Sequence, residues 1–228
     1  MSEPAARRRP IVAIDGPAAS GKSTAGKALA ARLGYLYIDT GALYRAVGWL
    51  ASQAGITPGH PAGLEDLMAK TEITLTGDGP DRKVLVGGRD VSGEIRTERM
   101  GHLASAFSAL PQVREALLDI QRKLGAEGGV VMDGRDIGTV IFPDAEVKIF
   151  LSASDSERSS RRWRELVDRG QRHDPEEVRR DLNRRDGQDR NRPHAPLRAA
   201  PDAVTIDSTG LSAEEVVDRI YSIVKAGA

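Results

Sequence analysis

The fold of this chain is decided by the stretch Gly16-Pro17-Ala18-Ala19-Ser20-Gly21-Lys22-Ser23-Thr24, because it matches the phosphate-binding pattern G-x-x-x-x-G-K-[ST]. It follows the apolar run Ile11-Val12-Ala13-Ile14, which predicts a buried strand, and it precedes a helical stretch at 25–33. Glycines let successive backbone N–H groups point at phosphate oxygens, and the helix N-terminus adds partial positive charge. The pattern therefore predicts a nucleoside triphosphate site, with Lys22 at the β- and γ-phosphates and the Ser23 hydroxyl as a Mg²⁺ ligand. The alternative is an ordinary glycine-rich turn between a strand and a helix.

Composition narrows the class of protein. The chain has 228 residues, with 33 Lys plus Arg against 33 Asp plus Glu, so no net field draws it to nucleic acid or to an anionic membrane. The absence of cysteine excludes disulfides, thiolate metal sites and cysteine nucleophiles, and it is compatible with a reducing cytoplasm. No apolar run reaches the roughly 18 residues that a membrane span needs. Residues 1–9 carry arginines but no apolar stretch, which predicts a disordered tail rather than a signal peptide.

The rest of the chain alternates short apolar strands with amphipathic helices, which predicts a parallel sheet with helices on both faces. Five strands are expected, at 10–15, 35–39, 129–133, 146–151 and 202–207. Pro111 and Gly125 mark the ends of one helix, and Ser212 with Glu215 forms a capping box for the last one. We therefore expect one α/β domain over residues 10–228.

Residues 72–91 depart from this alternation of strands and helices. They predict two or three short antiparallel strands, with a turn at Gly77-Asp78-Gly79-Pro80. A small β insertion on an α/β core usually shapes the site of a second substrate, and a decorative insertion without ligand contacts is the alternative.

The segment from Arg158 to Arg192 is rich in arginine, with acidic residues interleaved. It could be a solvated helical face held by pairs four residues apart. It could also be a lid, at about residues 155–175, that folds over transferring phosphates. Arg158, Arg161 and Arg162 are the candidates for lid contacts with ATP. A nucleic-acid arm is a third possibility, and the interleaved carboxylates and few aromatic residues argue against it.

Three polar clusters follow predicted strands or lie in the arginine-rich region. They are Thr40-Gly41-Ala42-Leu43-Tyr44-Arg45, Asp133-Gly134-Arg135-Asp136-Ile137-Gly138 and Arg184-Arg185-Asp186-Gly187-Gln188-Asp189-Arg190-Asn191-Arg192. The carboxyl ends of parallel strands are where open sheets bind ligands. Taken singly, each cluster could be a helix cap or a surface turn.

On these motifs the chain resembles the bacterial cytidylate kinases, within the nucleoside monophosphate kinases, from residue 10 to about residue 225. The run Asp90-Val91-Ser92-Gly93-Glu94-Ile95-Arg96-Thr97, with the β insertion before it, is the part that other monophosphate kinases lack. The resemblance implies a phosphate-loop kinase domain whose acceptor-binding region spans about 40–115. It also implies transfer of the γ-phosphoryl group of ATP to CMP or dCMP, with Mg²⁺.

The same resemblance implies an acceptor site made of Thr40, Arg45, Ser105, Arg114, Asp133, Arg135, Asp136, Arg185, Asp189 and Arg192. Some relatives have serine where this chain has Thr40, and the hydroxyl is kept.

Chemistry suggests how these residues divide the work. Arginines suit the acceptor phosphate, and Arg45, Arg135 and Arg192 are the candidates. The base edge of cytosine suits a carboxylate at the amine and a donor at its acceptors, which points to Asp136, Arg114 and Ser105. Arg185 and Asp189 suit the ribose hydroxyls, and Asp133 suits the water shell of Mg²⁺ or the attacking phosphate. Lys22, Asp133, Arg135 and Arg192 are thus the candidate catalytic residues.

Two other readings stay open at this point. One is a phosphate-loop kinase of another small acceptor, such as UMP, AMP or shikimate. The other is a non-enzymatic, nucleotide-dependent regulator. For the enzyme we expect a cytoplasmic monomer with nucleotide substrates and neither nucleic-acid nor membrane partners.

Overall fold

The computed structural model describes residues 9–77 and 82–227. The predicted disordered tail lies outside these residues except for Arg9, and so does most of the predicted turn at 77–80.

Within the described residues, the strands in chain order are β1 (Ile11–Asp15), β2 (Leu36–Asp39), β3 (Ile73–Thr76), β4 (Lys83–Val86), β5 (Arg89–Asp90), β6 (Val130–Gly134), β7 (Val147–Ser152) and β8 (Val204–Asp207). The helices are α1 (Lys22–Leu33), α2 (Thr40–Gln53), α3 (Leu64–Lys70), α4 (Glu98–Phe107), α5 (Pro111–Gly125), α6 (Asp155–Asp168), α7 (Pro175–Asn191) and α8 (Ala213–Gly227). A short 3₁₀ segment covers Glu94–Arg96, and a π-helical turn covers Ile137–Ile141.

The main sheet of the described chain is parallel, with strand order β2-β6-β1-β7-β8. Each of the five predicted strands is confirmed to within two residues at either end. All residues of β1 are buried, as a central strand covered on both faces requires. Val12 and Ile14 face one side, with α1 and α8, whereas Ile11 and Ala13 face the other, with α5. The predicted layers of helices on both faces are thus confirmed.

The helix ends follow their sequence signals. Pro111 occupies the first turn of α5. In the capping box of α8, the Ser212 N–H donates to Glu215 and the Glu215 N–H donates to Ser212 Oγ. Helix α1 begins at Lys22, three residues before the predicted stretch, because Gly21 at φ 93° already ends the loop. No helix in the part of the chain that the structure describes is long and apolar enough to cross a membrane.

The β insertion forms a separate antiparallel sheet of β3, β4 and β5 in the described chain. Its side chains Ile73, Val84 and Val86 are at most 5 % exposed and pack in one cluster with α2, α4 and α5. The insertion is therefore an integral wall of a second hydrophobic core. It positions the helices that carry the acceptor-side candidates.

Candidate active site

The phosphate loop connects β1 to α1, and its glycines are needed for space and for backbone conformation. A Cβ on Gly16 would lie 2.0 Å from the carbonyl oxygen of Leu151, so only glycine fits there. Gly21 precedes α1 at φ 93°, and no side chain caps the helix. The N–H groups of the first turn are thus left for an anion, with the helix dipole behind them.

Lys22 is buried beneath this loop, with only 6 % of its surface exposed. Its Nζ donates to the Pro17 carbonyl oxygen at 2.5 Å and to Ser20 Oγ at 3.4 Å. Burial, followed by the nearby Arg135 charge, lowers the pKa of Lys22 to about 7, against the opposing effect of Asp133 and Asp15. Phosphate oxygens at this position would favour the charged ammonium.

Ser23 joins the loop to the end of β6. Its Oγ donates to Asp133 Oδ2 at 2.7 Å, and Tyr37 Oη donates to Asp133 Oδ1 at 3.0 Å. Burial, and next the Asp39 charge, raise the pKa of Asp133 from its ordinary value of 3.8 to about 6. A hydroxyl and one carboxylate are a donor set that suits Mg²⁺, which keeps several waters and binds substrate phosphates as well. The residues present therefore fit the implied ion.

Two further aspartates end strands at the same edge, and neither was among the site residues predicted from the sequence. Asp39 is the register partner of Asp133, and Asp15 is that of Gly134. Asp15 accepts the N–H groups of Ile137 and Gly138, each at 2.8 Å. Burial raises the pKa of Asp15 to about 6 despite these two hydrogen bonds. An acidic residue at the last position of a buried strand was the signal that could have found both.

Asp39 also organises the start of α2. It accepts the Ala42 N–H at 3.1 Å and the Arg45 guanidinium at 2.6 Å. Burial alone would raise the pKa of Asp39, but Arg45 holds it below its usual value. Thr40, the first residue of α2, donates from Oγ1 to the Asp133 carbonyl oxygen at 2.8 Å. The first predicted cluster is thus tied to the second through neighbouring strand ends.

Asp189 on α7 gathers two of the three arginines assigned to the acceptor phosphate. Arg135 Nε donates to Asp189 Oδ2 at 2.9 Å, and an Arg192 nitrogen lies 3.8 Å from Asp189 Oδ1. Arg192 also donates to Ser108 Oγ at 3.3 Å and to the Ala195 carbonyl oxygen at 2.8 Å. The carboxylate predicted to bind the ribose thus also orients two of the arginines predicted to bind the acceptor phosphate.

Arg114 and Asp136 form an ion pair in which Asp136 uses Oδ2. Both line a cavity of about 540 Å³ together with Tyr44, whose ring centre lies 5.7 Å from the Arg114 guanidinium carbon. Ser105, the third candidate for the base edge, lies on α4, where its Oγ donates to Gln188 Oε1 at 3.2 Å.

The β insertion reaches the acceptor side as well. A smaller cavity of about 50 Å³ is lined by Arg45 and Asp39 from the strand edge and by Leu75, Val84 and Ser92 from the insertion and its continuation. The expected proximity of the insertion to the acceptor-side residues is therefore present.

The arginine-rich region divides into inward and outward side chains. Arg158 is 2 % exposed, and its guanidinium contacts Asp186, Asp155 and the Ala18 carbonyl oxygen. Arg161 donates to the carbonyl oxygens of Ser20 and Ser208, at 3.4 Å and 2.7 Å. Arg162 pairs with Glu98 of α4 and Glu165 of its own helix.

The outward side chains follow the solvated-face alternative. Arg179 pairs with Glu176 and Arg184 with Asp181, in each case three residues away along α7. Arg185, between these and the site, is half-buried beside Gly101 of α4.

Comparison with known proteins gives consistent matches. The family model for cytidylate kinase matches residues 12–226. A cytidylate kinase of Geobacter sp. (strain M21) is 55% identical over 215 residues, covering 94% of this chain and 92% of that protein. A cytidylate kinase of Geobacter sulfurreducens is 54% identical over 221 residues, covering 97% and 95%. Among solved structures, a gluconokinase from Sinorhizobium meliloti 1021 aligns with a TM-score of 0.51 at 15% identity, covering 97% of this chain and 94% of that one. That last similarity concerns the fold alone.

Proposed function

The chain belongs to the cytidylate kinase family, and from this premise we propose that it transfers the γ-phosphoryl group of ATP to CMP or dCMP, with Mg²⁺ as the cofactor. The products are ADP and the nucleoside diphosphate, which places the enzyme in pyrimidine nucleotide metabolism. An oxygen of the acceptor phosphate attacks the γ-phosphorus, and the bond from that phosphorus to the oxygen bridging the β- and γ-phosphates breaks.

The observation that carries this proposal is the 2.7 Å hydrogen bond from Ser23 to Asp133. It brings the hydroxyl of the donor loop to the strand end that begins the acceptor cluster. A donor phosphate bound at the loop and an acceptor phosphate bound at the acceptor cluster would meet above the carboxyl ends of β1 and β6. Holding two reactants in line supplies much of the barrier reduction in such reactions.

Charge neutralisation supplies most of the remaining reduction in the reaction barrier. On the donor side, residues Gly16 to Thr24 bind the triphosphate through the loop backbone, and the Lys22 ammonium binds the β- and γ-phosphate oxygens. Ser23 and Asp133 would hold Mg²⁺, directly or through its water, and the ion would supply positive charge to neutralise the transferring phosphates. On the acceptor side, Arg45, Arg135 and Arg192 bind the monophosphate. No general base is needed, because that phosphate is already an anionic nucleophile.

Base selection is assigned to the large cavity. Arg114 occupies one oxygen of Asp136, so Asp136 Oδ1 can accept the cytosine amine while Arg114 donates to an acceptor of the ring. Ser105, which lies on α4, is assigned to the same base. Arg185 and Asp189 are assigned to the ribose.

Lid contacts with ATP are proposed for Arg161 and Arg162, which lie in the middle of α6. Arg158 contacts the loop itself, and we propose that it supports the loop. The cytoplasmic location, the monomeric state and the lack of nucleic-acid or membrane partners are proposals that rest on charge balance and the cysteine-free composition.

An assay of ADP release with CMP, dCMP, UMP, AMP and shikimate tests the proposal. We expect CMP and dCMP to give the highest kcat/KM. Turnover that is strongest with UMP, AMP or shikimate would assign the chain to another acceptor. Slow hydrolysis that no acceptor accelerates would indicate a nucleotide-dependent regulator.

A further inference from the structure

The backbone of Ala18, at the tip of the phosphate loop, is held from both sides by α6 and α7. Its N–H donates to Asp186 Oδ1 of α7 at 3.1 Å, and its carbonyl oxygen accepts from Arg158 of α6 at 3.0 Å. Asp186 and Arg158 also form an ion pair with each other, and each residue is 2 % exposed. The loop tip is therefore fixed to α6 and α7 through a buried pair of charges.

Apolar packing reinforces the same contact. The Ala18 side chain is 7 % exposed and packs in a small core with Leu166 of α6 and with Val178 and Leu182 of α7. The buried face of α7 runs through Val178, Leu182, Asp186 and Asp189. This face is thus apolar where it packs against Ala18 and Leu166, and acidic where it passes the active site.

One helix consequently touches both halves of the active site. Asp186 binds the donor loop, whereas Asp189, one turn later, binds Arg135 and lies beside Arg192 on the acceptor side. Residues three apart lie on the same face of a helix, so a shift of α7 moves both contacts together. A ligand that orders the arginines around Asp189 would also fix Asp186 against the loop.

The cost of the ion pair argues that it has a role beyond stability. Burying two charges carries a large desolvation cost, and well-packed apolar residues often stabilise a fold as well or better. A rigid polar contact does supply direction, because the carboxylate must face the Ala18 N–H while the guanidinium faces the carbonyl oxygen.

We propose that Asp186, held by Arg158, is a positioning residue that couples acceptor binding on α7 to the shape of the phosphate loop, so that CMP and ATP bind with positive cooperativity. This inference rests on the proposed function, since it takes CMP as the acceptor and ATP as the donor. Coupling between two sites is reciprocal, so each nucleotide should tighten the other by the same factor.

The test measures CMP binding by calorimetry, with and without a saturating non-hydrolysable imido analogue of ATP and Mg²⁺. In the wild type we expect the analogue to tighten CMP at least about fivefold. In Asp186→Asn, which keeps the size of the side chain but loses its charge, this factor should fall below about twofold. Glu176→Gln is the matched control on the same helix, because within residues 9–77 and 82–227 the Glu176 carboxylate pairs only with the exposed Arg179. It should keep the wild-type factor.

A second measurement needs no variant. CMP alone should slow amide exchange in residues 18–22 of the unmodified protein, because the ordered α7 fixes the Ala18 backbone. If Asp186→Asn does not fold, the double variant Asp186→Leu with Arg158→Met removes both charges and takes its place in the calorimetry.

The outcomes separate the two proposals. A wild-type coupling factor near one, a factor retained in the folded variant, or loop exchange that CMP leaves unchanged would each overturn the coupling. Failure of CMP to bind the wild type at all would overturn the proposed function instead.

Discussion

The guanidinium of Arg114 and the carboxylate of Asp136 form an ion pair at the wall of the large cavity, with side chains that are 10 % and 5 % exposed. Arg114 comes from α5 and Asp136 from the turn after β6, so the pair joins two elements of the acceptor half. Because Arg114 binds one carboxylate oxygen, the carboxylate of Asp136 keeps a fixed orientation. A carboxylate fixed in this way would attract the cytosine amine and repel the oxygen that uracil has in its place.

Asp136→Asn should lower the preference for CMP over UMP, since an amide can present either a donor or an acceptor. Loss of a charge-assisted hydrogen bond of roughly 1.5–3 kcal/mol corresponds to about ten- to a hundredfold in kcat/KM for CMP. UMP should lose less, or gain. The measurement is the ratio of kcat/KM for the two acceptors, with the exposed Asp119→Asn on α5 as a control. A parallel decline of both acceptors would make Asp136 a scaffold residue.

Lys22→Ala should remove catalysis and leave the fold intact. The buried ammonium acts on the phosphates as charge moves in the transition state, so kcat should fall by about two orders of magnitude or more. The melting temperature should not fall greatly, because burial already lowers the pKa of Lys22 to about 7 and makes its charge costly. Lys123→Ala, at the exposed end of α5, is the control for loss of a lysine. A variant that retains more than a tenth of the wild-type kcat would contradict the phosphate-loop assignment.

Asp133→Asn should stabilise the ligand-free protein more at pH 8 than at pH 5. The folded pKa of Asp133 is about 6 against an ordinary 3.8, so its protonated form favours folding. That contribution to stability is fully present below about 4 and is lost as the pH rises through about 6. The lost free energy is about 3 kcal/mol over the whole range, and roughly half of it is lost between pH 5 and pH 8.

Asparagine has no ionisable carboxyl group, so the variant does not lose this stability as the pH rises. The measurement is the difference in melting temperature between variant and wild type as a function of pH. Asp15, whose pKa is also raised to about 6, is present in both proteins and cancels in this difference. A difference that does not change between pH 5 and pH 8 would show that Asp133 is not an ionised, buried group at neutral pH.

Arg185→Ala should reduce activity with CMP more than with dCMP. Arg185 is half-buried on α7 beside Gly101 of α4, and a ribose 2′-hydroxyl bound there would accept a hydrogen bond from it. Loss of such a hydrogen bond from a charged donor corresponds to about tenfold or more in kcat/KM for CMP. Steady-state kinetics with the two nucleotides give the ratio. Arg184→Ala, one position away and paired with Asp181 on the outer face, should leave the ratio unchanged. Equal losses with CMP and dCMP in Arg185→Ala would exclude a contact to the 2′-hydroxyl.

Much of the fold could be predicted from local patterns. The phosphate loop, the five strands, the Pro111 start of α5 and the capping box of α8 all depend on residues close together in the chain, and each is present. The antiparallel strands of the insertion were likewise readable from alternation and turn residues. What the patterns missed was the burial of Ile73, Val84 and Val86, because the partner surface on α2 and α4 comes from elsewhere in the sequence.

The candidate site shows the same division. The phosphate-loop pattern predicted Lys22 and Ser23. The roles of Asp133 and Arg135 came from the family resemblance, on a polar cluster that follows a predicted strand. The partner of each group was decided only by tertiary structure, since Ser23 meets Asp133 across 110 residues and Ala18 meets Asp186 across 168. Sequence spacing places side chains on a face of a helix, but it does not say what packs against that face. The fold therefore turned Arg158 inward beneath the loop and left Arg179 in solvent, although both belong to one arginine-rich run.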